Sequence, residues 1–446
     1  MNIITMLGRV IWLLAAALAL TAAVLATLWF LGRPAREVQG IWETEGYGLV
    51  FDISPFTIRI LQVGPASCTI WKTMPAHRGM AKRFAGYGFS AVGAGSVMQI
   101  SAADVTNPIT ATRLDALPAQ CTEGKPAGPV ENFDIFWHAF DQHYPHFETQ
   151  GIDWDARRDE ALTELGDPPD RDPRTLAAVM RHALDGITDP QVSLDTPDGT
   201  YRPARGIEEE VPAWVEKARA ALPVIDSYLD PEPQNTETGG FRHAWIDGEI
   251  AYLGLHHMET QAALSGTQAD EAAALAALMA ETYADAKGVI VDLRFNPGGA
   301  ETVALEYARL FASEARIVAQ KSVVTGPDSL SPPTPIRIRP TEASFGAIPT
   351  VVLTSAHTGG AAELFTLAVR DEPQVTVMGE ETAGALSDLL TRTLPNGFSV
   401  TLPHQVYATA EGTPIGLTPL APDLSVADGN GNAGDAVLEA AIDVLE

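Results

Sequence analysis

The sequence predicts an α/β layered core in its C-terminal half, with a helical subdomain and a small β domain before it and one apolar helix at the N-terminus. Two observations carry this. From Glu249 onward, short apolar strands alternate with helix-period segments and close on a hairpin, which is the grammar of a layered α/β core. Ahead of that point the strand-like segments come first and the helix-period segments second. A chain of 446 residues is also too long for one ordinary core, so two or three domains are expected.

The N-terminus comes first. Val10 to Leu31 is a run of 22 residues without a charge, bounded by Arg9 and by Arg33 and Arg36. That length crosses about 30 Å of hydrocarbon as a helix. A cleaved signal peptide competes with this reading, but its apolar region runs to only ~7–15 residues. Thr27–Leu31 carries the run past the weak Val24-Leu25-Ala26 cleavage site. The expectation is a short tail over 1–9 and an uncleaved single-pass anchor over 10–31. That anchor would sit in the cytoplasmic (inner) membrane, with the body exported to the periplasm.

Composition limits what the body can be. Apolar content of 46% with 19% charged residues describes a globular protein. A net charge of −28 excludes nucleic acid as a partner, because phosphate binding needs clustered Lys and Arg. Cys68 and Cys121 can pair as a disulfide in an oxidising compartment, the alternative being two free thiols. Nothing near them has metal-ligand spacing, and neither a metal nor a cofactor is expected.

Residues 38–122 read as the small β domain, from Gly40-Ile41-Trp42, Gly46–Phe51 and Phe56–Leu61. A linker, Glu123–Pro129, leads to the helical subdomain over 130–204. There Phe133, Phe136, Trp137 and Phe140 share one helix face, and Leu176, Val179, Met180 and Leu184 another. The aromatic cluster of Trp137, Tyr144, Phe147 and Trp154 is expected to be core. Residues 205–245 are poorly patterned and read as a surface insertion around Asp230-Pro231-Glu232-Pro233. The core over 246–446 then has strands at Ile250–Leu253, Gly288–Leu293, Thr350–Thr354 and Gln374–Met378. Pro395-Asn396-Gly397 joins its closing hairpin.

Asp292-Leu293-Arg294-Phe295-Asn296-Pro297-Gly298-Gly299 sits where a buried strand turns into a helix, and its glycines let backbone N–H groups face an oxyanion. This segment resembles the "DLRxNxGG" signature of the tail-specific, or C-terminal processing, serine peptidases. The branch it resembles includes tricorn core protease and interphotoreceptor retinoid-binding protein. The resemblance runs collinearly through Phe136–Trp154, Thr354–Glu363, Gly379–Gly384, Thr393–Phe398 and Ala421–Leu424. It implies a crotonase/Clp-protease-like layered core and acyl transfer through a serine. No PDZ module is recognisable.

The same resemblance locates the catalytic positions, and all three are replaced. The nucleophile position is Gly360, in Thr358-Gly359-Gly360-Ala361-Ala362-Glu363. The base position is Gln191, in Ile187–Leu194. The orienting carboxylate, seven residues before Asp423, falls on Gly416. The serine–lysine variant is excluded, since Lys321 is the last lysine and Ala385 stands where the general base would lie. Ser355 and Thr358 are the possible substitute nucleophiles, with His357 beside them. His256-His257 reads as surface histidine. Gly298, Gly299 and the N–H of Ala361 would form an oxyanion-type pocket for a peptide, walled by Glu363, Thr382 and Gly384.

The expected function is therefore a catalytically degenerate tail-specific peptidase that binds peptides or protein C-terminal tails. Two alternatives stand beside it: an active peptidase using Ser355, and a non-catalytic membrane-anchored scaffold.

Overall fold

The computed structural model describes residues 12–446 apart from scattered positions up to 28, residue 66, and the segments 122–127, 208–212, 236–240, 260–264, 343–344 and 428–433 with residue 205. The N-terminal domain is built on seven strands: β1 (Gly40–Thr44), β2 (Leu49–Ile53), β3 (Thr57–Gly64), β4 (Ser67–Pro75), β5 (Tyr87–Val92), β6 (Val97–Ala102) and β7 (Ile109–Leu114). Helix α1 (Arg78–Ala85) lies between β4 and β5. The strands form one sheet in the order β4-β3-β2-β1-β7-β6-β5. Trp42, Phe51, Ile58, Ile60, Met98 and Ile100 fill its core, joined by Leu390 from the far end of the chain. Cys68 on β4 is disulfide-bonded to Cys121, just after β7.

Helices α2 (Pro129–His143), α3 (Trp154–Leu165) and α4 (Pro173–Ala183) make the helical subdomain. Asp153 caps α3 through Ala156 N at 3.0 Å, and Asp172 caps α4 through Arg174 N at 2.9 Å. The aromatic cluster is core: Phe133, Phe136, Trp137, Phe140 and Trp154 are all buried together. Trp137 and Trp154 exchange bonds, each indole N–H donating to the other's carbonyl at 2.9 and 3.1 Å. That reciprocity satisfies both buried donors without a ligand.

Three short strands follow, β8 (Ser193–Thr196), β9 (Gly199–Arg202) and β10 (Gly206–Ile207), then helix α5 (Ala213–Asp226). Next come β11 (Leu229–Asn235), β12 (Arg242–Ile246), β13 (Ile250–Gly254), helix α6 (Gln268–Thr282), β14 (Gly288–Asp292) and helix α7 (Glu301–Ala308). The remainder is β15 (Arg316–Gly326), β16 (Ser329–Leu330), β17 (Thr334–Ile338), β18 (Thr350–Thr354), helix α8 (Ala361–Val369), β19 (Val375–Gly379), β20 (Leu389–Thr393), β21 (Ser399–Pro403), β22 (Gln405–Thr409), β23 (Leu424–Ser425) and helix α9 (Ala436–Leu445).

The central sheet runs β11-β12-β13-β14-β18-β19-β23, parallel from β13 onward. β14 and β18 are buried at every position, as strands covered on both faces must be. One face packs against α6, α7 and α8, the other against α5 and α9. This is a mixed α/β layered core behind an N-terminal β domain. The stretch 205–245, expected as a surface insertion, instead supplies α5 and two strands of this sheet. β12 alternates inward Arg242, Ala244 and Ile246, and an arginine in the inward phase hid the pattern.

The hairpin β20–β21 belongs to a second sheet, ordered β10-β9-β8-β21-β20, with β20 as one of its two edges. Gln62 of β3 closes that edge. Its side chain donates to Thr391 O at 2.9 Å and accepts from Thr393 N at 3.1 Å, the two bonds a neighbouring strand would make.

The anchor expected at 10–31 is corrected. Crossing the hydrocarbon takes about 20 helical residues, whereas α2 and α6 have 15 each. Among the described residues no helix is long and apolar enough to cross a membrane. The inner-membrane localisation of the body falls with the anchor. Part of that range, including its first two positions, lies outside the described residues.

Candidate active site

The site grows from the carboxyl ends of β14 and β18, where loops of a parallel sheet converge. Asp292 and Arg294 are structural. Arg294 is 2% exposed and donates from Nε to Asp292 Oδ1 at 3.0 Å and from Nη2 to Oδ2 at 2.8 Å. Its Nη1 reaches Asp435 Oδ1 at 2.8 Å, and Asp435 also caps α9 through Leu438 N. The signature thus locks the last helix under the sheet. Asn296 is fully buried; its Nδ2 donates to Leu255 O at 3.0 Å and its Oδ1 accepts from Gly298 N at 2.9 Å.

That last bond changes the expected oxyanion pocket. Gly298 N–H is taken up by Asn296, so it does not face a ligand. Gly299 N–H and Ala361 N–H have no hydrogen-bond partner among the described residues, and they are the donors that remain. Gly299 is required by close approach: a Cβ there would lie 1.6 Å from Met258 O.

The loop after β18 is tied down by the hydroxyls considered as nucleophiles. Ser355 Oγ donates to Arg294 O and accepts from His357 N at 3.1 Å. Thr358 Oγ1 donates to Leu293 O at 2.8 Å and accepts from Ser355 N at 2.9 Å. Both side chains are buried, and their protons are directed at backbone carbonyls of the loop after β14.

Gly360 follows with φ 52° and ψ −119° and opens α8. A Cβ there would sit 3.6 Å from Pro297 O and 3.8 Å from Ala385 O. The space for a side chain therefore exists, and the backbone keeps a left-handed turn that L side chains enter only under strain. Glu363, expected in the pocket wall, is 1% exposed. Its carboxyl accepts from Gly360 N at 3.0 Å, Thr382 Oγ1 at 2.6 Å, Gly384 N at 2.9 Å and Ala385 N at 2.8 Å. Burial raises its pKa against these four donors. It shapes the cleft from behind and does not face it.

Gln191 lies across the cleft. Its N–H bonds Asp189 Oδ1 at 2.9 Å and its side-chain amide donates to Ser387 O at 3.3 Å. Asp189 is fully buried, pushed up to about 6 by that burial, and holds Tyr144 OH at 3.3 Å. Gln191, Pro297, Ala356, His357, Gly359 and Ala385 line one cavity of about 420 Å³. Gly416 does not line it; a Cβ there would lie 3.7 Å from His146 Cε1. His146 is buried, and that pushes it down to about 4. His257 pairs with Glu259 at 2.8 Å, and among the described residues no group of three or more His, Cys, Asp or Glu could hold a metal.

One set of polar residues escaped the sequence reading: Arg392, His143 and His404, buried where the β domain meets β20 and α2. The available signal was Arg392 itself, an arginine in the inward phase of β20 with Leu390.

Comparison with known proteins agrees with this geometry. Residues 249–426 match the model of Peptidase family S41. The Carboxy-terminal processing protease CtpA of Bacillus subtilis (strain 168) is 30% identical over 127 residues, covering 28% of this chain. The match spans only about a quarter (26%) of that relative's length. Among solved structures, one reported for a peptidase of Parabacteroides merdae ATCC 43184 superposes with a TM-score of 0.60 at 23% identity. It covers 72% of this chain and 97% of that one. The photosystem II D1 C-terminal processing protease covers 72% and 98% at 15% identity, with a TM-score of 0.44. The chain thus carries, over residues 249–426, a domain that matches Peptidase family S41.

Proposed function

We propose that the chain is a member of this family that has lost the hydrolytic step and holds peptides or protein C-terminal tails in the former active cleft. The observation that carries the reading is a pair of positions: Gln191 lines the cavity, and a Cβ on Gly360 would lie 3.6 Å from Pro297 O and 3.8 Å from Ala385 O, on two residues of its wall. Gly360 has no side chain with which to attack a carbonyl, and the Gln191 carboxamide does not titrate and takes no proton. Ser355 and Thr358 do not replace the nucleophile, because each hydroxyl proton is engaged with a backbone carbonyl. The unpartnered N–H groups of Gly299 and Ala361 support binding of a carbonyl or carboxylate oxygen. The relative named as a carboxy-terminal processing protease makes tails the ligand class to test.

The test uses the full chain with fluorescent tail peptides, followed by polarisation and by mass, and with a fluorophosphonate probe. Saturable binding without cleavage or labelling is the expected result. Cleavage that disappears in Ser355→Ala would overturn the proposal. The triple variant Gly360→Ser, Gln191→His, Gly416→Glu is expected to regain labelling, and its silence would count against these three correspondences.

A further inference from the structure

A second cavity lies away from the cleft, at the junction of the β domain, α2 and β20. It holds about 630 Å³ and is lined by Glu43, Glu45, Gln142, His143 and Arg392, among others. Arg392 is 6% exposed. Its Nη2 donates to Tyr47 O and to His143 Nε2, the latter at 3.3 Å. The turn before β2 lets the guanidinium in: a Cβ on Gly48 would lie 2.6 Å from Nη2.

Those bonds use one nitrogen of three. Nε and Nη1 of Arg392 have no hydrogen-bond partner, and no carboxylate lies within ion-pair distance, among the described residues. A buried guanidinium without a counter-ion is costly, and burial pushes this one down to about 10. It still carries its charge at neutral pH. Among the described residues, the other buried arginines are paired: Arg294 with Asp292 and Asp435, Arg242 with Asp226. The cavity offers what the protein does not supply, room for an oxygen anion beside Arg392. At its exposed side Glu43 and Glu45 present the opposite sign. A dianion such as phosphate would be repelled by them in a chain of net charge −28. A ligand with one carboxylate and one ammonium would meet a partner at each end.

We propose that this junction is a binding site for a small zwitterion, a free amino acid or a dipeptide, with its carboxylate on Arg392 and its ammonium toward Glu43 and Glu45. The site is distinct from the former active cleft and does not rest on the reading given for it. Its volume admits a dipeptide, and its floor spans two domains, so occupancy would also tighten their contact.

The test is thermal denaturation and calorimetric titration of the full chain with L-alanyl-L-alanine, its C-terminal amide, its N-acetyl form, and sodium chloride at matched ionic strength. Saturable stabilisation by the free dipeptide is expected, abolished by amidation and weakened by acetylation. Arg392→Gln should lower its affinity at least about tenfold. Two variants guard against misfolding. Gln142→Trp fills the cavity without touching Arg392 and should abolish the response, and Glu45→Gln at the exposed rim should weaken it. The proposal is overturned by no response beyond that of chloride, or by a response that survives both Arg392→Gln and Gln142→Trp. The second outcome would move the dipeptide to the cleft at Gln191.

Discussion

Replacing Glu363 by glutamine probes whether one buried carboxylate holds the cleft in shape. Its Oε1 accepts from Thr382 Oγ1 and Gly384 N, its Oε2 from Gly360 N and Ala385 N. Glutamine has the same size but only one acceptor oxygen. If its NH₂ takes the place of Oε2, two backbone N–H groups face a donor. If it takes the place of Oε1, Thr382 can rotate and accept, since its hydroxyl now accepts only from Leu420 N at 2.8 Å. Gly384 N–H alone is then orphaned. The cheaper arrangement loses one buried bond, about 1–3 kcal/mol, and removes charge assistance from the others. The sum is about 3 kcal/mol, roughly a hundredfold in local opening. Hydrogen exchange followed by mass spectrometry over residues 356–370, with the β domain over 40–64 as internal reference, reads it directly. A change below about 1 kcal/mol, or equal acceleration in the reference segment, would refute the reasoning.

Three further outcomes follow from the same contacts. Arg294→Met leaves Asp292 buried without its partner, and a loss of about 3–5 kcal/mol is expected in urea unfolding, reporting on α9 through Asp435. Replacing both Cys68 and Cys121 by serine opens a loop with a separation of 53 residues. On chain entropy this costs about 4 kcal/mol, measurable as a lower unfolding midpoint confined to the β domain. The third concerns pH. Burial pushes His404 down to about 3 and His146 to about 4, so the stability they contribute is full above about pH 6.5 and is lost as pH falls toward 4. Asp388 is pushed up to about 7 by burial, so its contribution has the opposite sign, present below about pH 4 and lost by 7. Asp388→Asn removes that offset and should steepen the acid loss by about 1.4 kcal/mol per pH unit between 4 and 6.5. Urea midpoints taken across that range check it.

What the sequence showed depended on how local each interaction was. Asp292–Gly299 was legible because a buried strand, a turn and two close-approach glycines are contiguous in the chain. The roles within it were less so. Asp292 and Arg294 serve a helix that starts at Ala436, and Gly298 N–H turns to Asn296, neither of which the spacing discloses. Glu363 was placed in the pocket because motifs record neighbourhood, not which way a side chain faces. Apolar run length pointed to a membrane helix at 10–31, although no described helix has the length such a span needs. The junction at Arg392 was invisible for a different reason: its carbonyl partner, Tyr47, lies 345 residues away in sequence. An inward arginine on β20 and an inward glutamine, Gln62, on β3 were the traces it left.

Gln62 bears on how this chain can be divided. The S41 domain begins at residue 249, which invites removal of everything before the helical subdomain. Such a truncation would take away the amide that satisfies Thr391 and Thr393, together with the β-domain packing on Leu390. The open strand of the hairpin would then be free to recruit the same strand of another molecule. The β domain accordingly covers the edge of the sheet next to the cleft, and a shortened protein is expected to elute as concentration-dependent oligomers.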